Sequence, residues 1–297
     1  MTRLVLLHGI AQQHKGPHTL LADWYPALAD GLTLAGAALE RRDVAMAFYG
    51  DLFRPAGHRG PGEPDLDASD VEEGLEQDLL LAWWQAAARA ESEVPGPDTA
   101  ARGRAPYLMQ RALDALSHSA FFAGLADRLL ISDARQVRRY FTEPELRAAI
   151  QARFLAALTD RTEVVVAHSL GTIVAYETLC ARPEVPELTL ITLGSPLAVR
   201  GLVADRLVPA PQDGRGRWPA PVKRWTNVLD RGDIVALAKE LAPVFGDRVT
   251  DVLVHNGAQA HDVRPYLTAR ETGQAIASAL RTPSTDRRGT GGGGEYP

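Results

Sequence analysis

Four short apolar runs punctuate the chain, and each is followed by a polar or glycine-bearing turn and then by residues at helical spacing. They are Leu4 to Leu7, Val44 to Tyr49, Val164 to Ala167 and Leu188 to Leu193. Continuous apolar runs, as opposed to alternating ones, suit strands of a parallel sheet covered on both faces. Two further segments, Lys223 to Val228 and Thr250 to His255, bring the predicted sheet to about six strands, an ordinary size. Strands that alternate with helical stretches predict a doubly wound α/β fold.

One stretch breaks the rhythm. Between Asp51 and Arg161 lie about a hundred residues without a convincing strand. Arg54 to Asp70 is rich in Gly, Pro and Asp and reads as an exposed loop. Val71 to Glu91 has helical spacing, with Leu75, Leu79, Trp83 and Trp84 along one side. After a Pro/Gly break at Val94 to Arg104 come helical segments at Tyr107 to Leu116 and Ala120 to Ile131. A longer helix is expected from about Glu143 to Leu158, with Thr142 as N-cap and Pro144 in its first turn. The pattern therefore predicts a single domain over residues 1–280, with a helical cap inserted at about 54–142. A second, smaller insertion, rich in Pro, Gly and Arg, runs from Val199 to Pro221. The glycine-bearing tail at 281–297 has little hydrophobicity and is expected to be disordered.

Composition narrows the function classes. The chain has 297 residues, 45% of them hydrophobic and 23% charged, which is ordinary for a soluble globular protein. A formal charge of -5, with no basic block carrying interleaved aromatics, argues against nucleic acid as a partner. The lone cysteine, Cys180, excludes an intrachain disulfide and is expected as a small apolar residue on the buried side of a helix. No apolar run approaches the ~20 residues that span a bilayer. No leader pattern precedes the first strand, and a cytoplasmic location is the expectation.

Chemistry concentrates where the third strand ends. Glu163 to Gly171 runs from a β-branched strand into a turn that sets Ser169 between His168 and Leu170, with Gly171 and an amphipathic helical run from Thr172 to Cys180 behind it. A serine hydroxyl is a weak nucleophile unless a base and an oxyanion site accompany it. In a parallel sheet the later strand ends point to the same edge. Two aspartates follow the fifth strand: Asp233, set behind Gly232 and anchored by Ile234 and Val235, has the better setting, and Asp230 is the second choice or a turn cap. For the base, His261 lies in a loop that reaches back over the edge, whereas His255 sits at a strand end and is the second choice. His8 and Gly9 close the first strand, so the backbone N–H groups of Ile10 and Leu170 are predicted to converge on one oxygen, with Gly9 permitting a sharp turn. His8 and His14 lack a Cys or carboxylate at ligand spacing, so no metal is expected.

These residues resemble a known family. The His8-Gly9 strand end, the elbow Ala167-His168-Ser169-Leu170-Gly171, Gly194-Ser195-Pro196 after the next strand, Asp233-Ile234-Val235, and His261 with Tyr266 are together similar to a compact lipase/esterase-like α/β-hydrolase that begins at its oxyanion-hole strand. The match covers 1–53 and about 143–280 and omits the cap. Ala167 stands where the G-x-S-x-G elbow has its first glycine, as in some small lipases of that family. The resemblance implies a serine hydrolase of esters or thioesters that needs no cofactor, with Ser169, Asp233 and His261 as triad, Ile10 and Leu170 as oxyanion donors, and His8, Gly9, His168 and Gly171 in support. Activity is then expected to fall as acid protonates the base. An acyltransferase or carrier-linked thioesterase would use the same residues, and a non-catalytic scaffold would keep only the fold. A further, distant similarity to lipid-remodelling deacylases, with elbows of the His-Ser-hydrophobic-Gly type, puts membrane lipids among the acyl substrates. Trp83, Trp84, Leu79, Phe121 and Phe122 are candidates to line a substrate pocket or to pack the cap's own core. Arg135, Arg138 and Arg139 are candidates for an anionic head group or carrier, or for a solvated helix face.

Overall fold

A computed structural model describes residues 2–54, 66–97, 105–122, 127–237, 239–257 and 260–280. The loop expected at Arg54 to Asp70, the break at Val94 to Arg104 and the tail at 281–297 fall largely or wholly outside these residues. In chain order the elements are β1 (Leu4–Leu7), α1 (Pro17–Leu34), β2 (Val44–Ala47), α2 (Leu75–Ala90), α3 (Ala105–Ser117), α4 (Asp127–Thr142), α5 (Pro144–Ala157), β3 (Val164–His168), α6 (Leu170–Ala181), β4 (Leu188–Leu193), β5 (Val222–Asp230), α7 (Ala242–Phe245), β6 (Val249–Val254), α8 (Val263–Thr268) and α9 (Arg270–Leu280).

The six strands form one sheet in the order β2-β1-β3-β4-β5-β6, parallel at every pairing. Leu4 pairs with Val44 on one side and Val164 on the other, so the chain leaves β1 toward β2 and returns across it to β3. That reversal opens a crevice at the carboxyl ends of β1 and β3, the place where open α/β sheets bind ligands. Side chains alternate across the sheet with period two. Leu4, Leu6, Val164, Val166 and Ile191 pack with residues of α1, α8 and α9. Val5, Leu7, Val165, Ala167 and Leu190 pack with residues of α5 and α6 on the opposite face. Both faces of β1 to β4 are covered, which is why these strands read as nearly continuous apolar runs, whereas β5 and β6 carry exposed polar positions.

Helix α6 departs from the expected amphipathic run. All residues from Leu170 to Leu179 are buried, because the helix lies between the sheet, α5 and the Val199–Leu207 segment. Its buried Glu177 is neutralised by Arg147 and accepts hydrogen bonds from Tyr140 Oη at 2.7 Å and Gln151 Nε2 at 3.1 Å. Thr142 does not cap α5. Helix α4 runs on to Thr142, whose hydroxyl donates to the Arg138 carbonyl at 3.0 Å, while Glu143 takes the N-cap place without a side-chain bond.

Helices α2, α3 and α4 bury a cluster of their own, built on Leu79, Leu80, Trp84, Met109, Leu113 and Ile131. Ile234, from the loop after β5, inserts into that cluster. The three arginines are partly exposed, and each is held in an ion pair. Arg138 and Arg135 pair with the wholly buried Glu76 at 2.7 and 3.4 Å, and Arg139 pairs with Glu143 at 2.8 Å. Among the described residues no helix is long and apolar enough to cross a membrane.

Candidate active site

Ser169 sits between the last residue of β3 and the first of α6, at φ 52° and ψ -126°. An L-residue adopts that backbone only where the surroundings enforce it, at a strain on the order of 1–3 kcal/mol. Here the elements on both sides are the enforcement. The Ser169 N–H donates to the Leu193 carbonyl at 3.1 Å, and the Ser169 carbonyl accepts from the Thr172 N–H at 2.9 Å and the Thr172 hydroxyl at 2.7 Å. The turn lifts the Ser169 side chain to the carboxyl edge of the sheet.

Close packing of backbones completes the elbow, and two glycines allow it. A Cβ on Gly171 would lie 2.4 Å from the His8 carbonyl oxygen, so the first turn of α6 and the end of β1 meet without a side chain between them. A Cβ on Gly9 would lie 2.7 Å from Ser169 Cβ. Gly9 is therefore needed for this close approach and not, as the sequence suggested, for a sharp turn. The positive φ of that loop falls two residues later, at Ala11.

The two downstream loops bring an acid and a base to the serine. His261 Nε2 lies 3.0 Å from Ser169 Oγ, and His261 Nδ1 lies 2.8 Å from Asp233 Oδ2. Asp233 is fully buried and also accepts from Tyr266 Oη at 2.9 Å and the Ala236 N–H at 3.0 Å. Burial alone would raise the Asp233 carboxyl, but His261, the Ala236 N–H and Lys239 together hold it below its usual value. The Tyr266 phenol is pushed up, first by burial and then by the Asp233 charge, and so remains a donor. With Asp233 ionised, Nδ1 of His261 carries the proton and Nε2 is left to accept from the serine hydroxyl. Gly194, at φ 51°, makes room for this arrangement, since a Cβ there would come within 2.7 Å of Asp233 Oδ2.

The second-choice residues lie elsewhere. Asp230 accepts from the Gly232 N–H at 2.6 Å and from the Asn256 N–H, so it ties the end of β5 to the end of β6. His255 is exposed beyond the end of β6. The supporting histidines are buried and neutral. His8 Nδ1–H donates to the Gly9 carbonyl at 2.7 Å, its Nε2 accepts from the Tyr49 N–H at 3.1 Å, and its ring stacks on Tyr49. Burial lowers the His8 pKa to about 4, and with both nitrogens engaged it has no lone pair left for a metal. By fixing the Gly9 carbonyl, His8 also fixes the Ile10 N–H on the other side of the same planar peptide. His168 Nε2–H donates to the His261 carbonyl at 2.9 Å; burial and the neighbouring His261 lower its pKa to about 3.

Ser169 and His261 form the floor of a cavity of about 770 Å³, within the range of small-molecule sites. Trp24, Trp83, Phe121 and Phe122 line it, and the ion pairs Lys15–Asp23 at 2.7 Å and Arg264–Asp262 at 2.5 Å stand at its edge. A second space, a slot of about 20 Å³, opens beside Ser169 and Leu170 and is walled by Ile10, Leu79, Ile173, Pro196 and Val203. The aromatic residues of the cap thus divide: Trp84 is committed to the cap core, with its indole N–H on the Pro95 carbonyl at 2.5 Å, while Trp83 faces both spaces. Cys180 is half-buried, and burial raises its thiol to about 11, which leaves it unreactive.

Sequence reading gave no role to Gly194, Thr172 or Tyr49, and named Tyr266 without its contact to Asp233. A glycine next to a polar cluster was the available signal for Gly194. Nothing local marks the other three, since their partners lie on other elements. Comparison with protein-family models, curated proteins and solved structures returned no match to this chain.

Proposed function

We propose that the chain is an α/β-hydrolase that cleaves a carboxylic ester or thioester through an acyl-enzyme on Ser169. The observation that carries this reading is the continuous relay Ser169–His261–Asp233, at 3.0 and 2.8 Å, on the floor of a ligand-sized cavity. The chain order Ser, Asp, His and the strained strand-to-helix turn are those of that fold. Residues 1–280 then form one hydrolase domain, with α2 to α4 as its cap.

In the proposed reaction Ser169 Oγ bonds to the substrate carbonyl carbon as His261 Nε2 takes the hydroxyl proton. The carbonyl oxygen becomes an oxyanion and is met by the Ile10 and Leu170 N–H groups; each such donor is typically worth on the order of 10²–10³ in rate. Collapse breaks the bond to the leaving oxygen or sulfur, which receives the proton from His261. Water then attacks the acyl carbon in the same way, releasing the acid and restoring the serine. Asp233 stays ionised throughout and stabilises the imidazolium. No cofactor enters these steps.

The test is active-site labelling. An alkyl fluorophosphonate is expected to modify Ser169 alone, located by peptide mass spectrometry, and the Ser169→Ala protein is expected to keep its circular dichroism spectrum while losing both labelling and ester hydrolysis. Undiminished hydrolysis by that variant would sink the proposal.

A further inference from the structure

The two spaces at Ser169 differ in size by more than an order of magnitude, about 20 Å³ against about 770 Å³, and the chemistry decides what each receives. This inference rests on the serine-hydrolase reading above. The departing oxygen must take its proton from His261 Nε2, so the leaving group lies on the His261 side. That side is the large cavity, which is lined by His168, His261 and Asp262. The acyl chain must leave the carbonyl carbon on the other side, past the two oxyanion donors. There Ile10 and Leu170 border the slot, and His261 does not reach it.

The slot is closed by well-buried side chains on separate elements. Leu79 comes from α2 with 4% exposure, Ile173 from α6 with 1%, and Val203 with 2% from the segment after β4. A space of this size holds about one water or one methyl group. The wide cavity, by contrast, has room for a ligand group many times that size.

We infer that the substrate is an ester with an acetyl-sized acyl group and a bulky leaving group. Long-chain acyl lipids are thereby excluded as preferred substrates. Ile10, Trp83 and Val235, which border both spaces together with Ser169, form the partition between them.

The wild-type protein supplies the first test. Across 2-naphthyl esters from acetyl to butyryl, hexanoyl and decanoyl, kcat/KM is expected to fall by about tenfold or more between acetyl and hexanoyl. Among acetates, 2-naphthyl is expected to exceed methyl. Equal or faster Ser169-dependent turnover of the hexanoyl ester would overturn the acyl assignment and leave the hydrolase reading standing. No preference for 2-naphthyl over methyl acetate would overturn the leaving-group assignment. Alkanesulfonyl fluorides give a readout without turnover, since their single alkyl arm occupies the acyl position as the S–O bond forms and fluoride leaves. Methanesulfonyl fluoride is expected to modify Ser169 faster than the hexane analogue. Val203→Ala, checked for an unchanged melting temperature, is expected to shift the preference toward butyryl, and no shift counts against the slot. If no ester is hydrolysed and no sulfonyl fluoride modifies Ser169, the hydrolase reading fails, and this inference with it.

Discussion

The carboxyl edge of the sheet and the helices α2 to α4 bury different side chains under very different tolerances. At the sheet edge three glycines have no room for a methyl group: Gly9 against Ser169, Gly171 against the His8 carbonyl and Gly194 against Asp233. In the cap, Gly74 has nothing near the position of a Cβ, and Gly96 only the Ala88 methyl at 4.0 Å. The edge also buries Ser169, Asp233, His8 and His168, each tied to named partners. Among the described residues, the cap buries mostly apolar residues and one charge, Glu76, held by two arginines. An edge built this way fixes positions to a fraction of an ångström, whereas the cap needs only to fill volume. The contrast is one of geometry against packing, and it can be broken by mutation.

The largest effect is expected at the turn itself. Ser169→Ala should lower kcat by on the order of 10⁶ if the relay acts as one unit. Because alanine shares the strained backbone and glycine does not, Ser169→Gly should be more stable than Ser169→Ala by about 1 kcal/mol in urea denaturation. Equal stability of the two would mean that the turn at φ 52° stores no strain.

Next come the two aspartates at the end of β5 and in the loop after it. Asp233→Asn removes the charge that holds His261 and should lower kcat by roughly 10⁴ with little change in fold. Asp230→Ala should instead cost about 1–3 kcal/mol of stability, because it leaves the Gly232 and Asn256 N–H groups without an acceptor, while the folded fraction keeps kcat within about tenfold. If the two variants lose activity alike, the division between a charged partner and a structural tie is wrong.

A third comparison sets the edge against the cap directly. Gly9→Ala puts a methyl 2.7 Å from Ser169 Cβ and should cost about 1–3 kcal/mol as well as turnover. Gly96→Ala meets no such neighbour and should change stability by less than about 0.5 kcal/mol and leave turnover alone. Thermal melts and kcat on the pair would settle it, and equal losses would erase the distinction.

The same contrast decides what the sequence could reveal. Strand positions were legible because a parallel strand covered on both faces is a continuous apolar run; Leu188 to Leu193 is β4 residue for residue. The closeness of Ser169, Asp233 and His261 was legible because strand ends in a parallel sheet share an edge, so order along the chain implies proximity. The reason for Gly9 was misread, since a glycine signals both a turn and a close approach and only the fold tells which. The cap was legible as helices but not as a structure. Its boundaries moved, with α4 running from Asp127 to Thr142, and its arginines proved to be partners of a buried glutamate, because amphipathic spacing says nothing of which helix packs on which. The Tyr266–Asp233 and His168–His261 contacts join residues 33 and 93 positions apart, beyond any local pattern.

The smallest effect per step is expected from acid, and it should act on the edge before the cap. His8 and His168 are buried and neutral, with pKa values lowered to about 4 and about 3, whereas a histidine in the unfolded chain titrates near ~6.5. Between those values the unfolded chain binds protons that the folded one refuses, so stability is full above about pH 6.5 and is lost as the pH falls toward the folded values. The slope is about 1.4 kcal/mol per pH unit for each ring. Both rings lie at the sheet edge, His8 just after β1 and His168 at the end of β3. Urea midpoints at pH 7, 6 and 5 should therefore fall steadily, with hydrogen exchange rising first in β1 and β3. His168→Gln keeps a donor for the His261 carbonyl and removes one titrating ring, so it should flatten the slope by about half. A wild-type midpoint that stays level from pH 7 to 5 would mean that these two rings accept protons without disturbing the edge, and that its tight geometry does not depend on their neutrality.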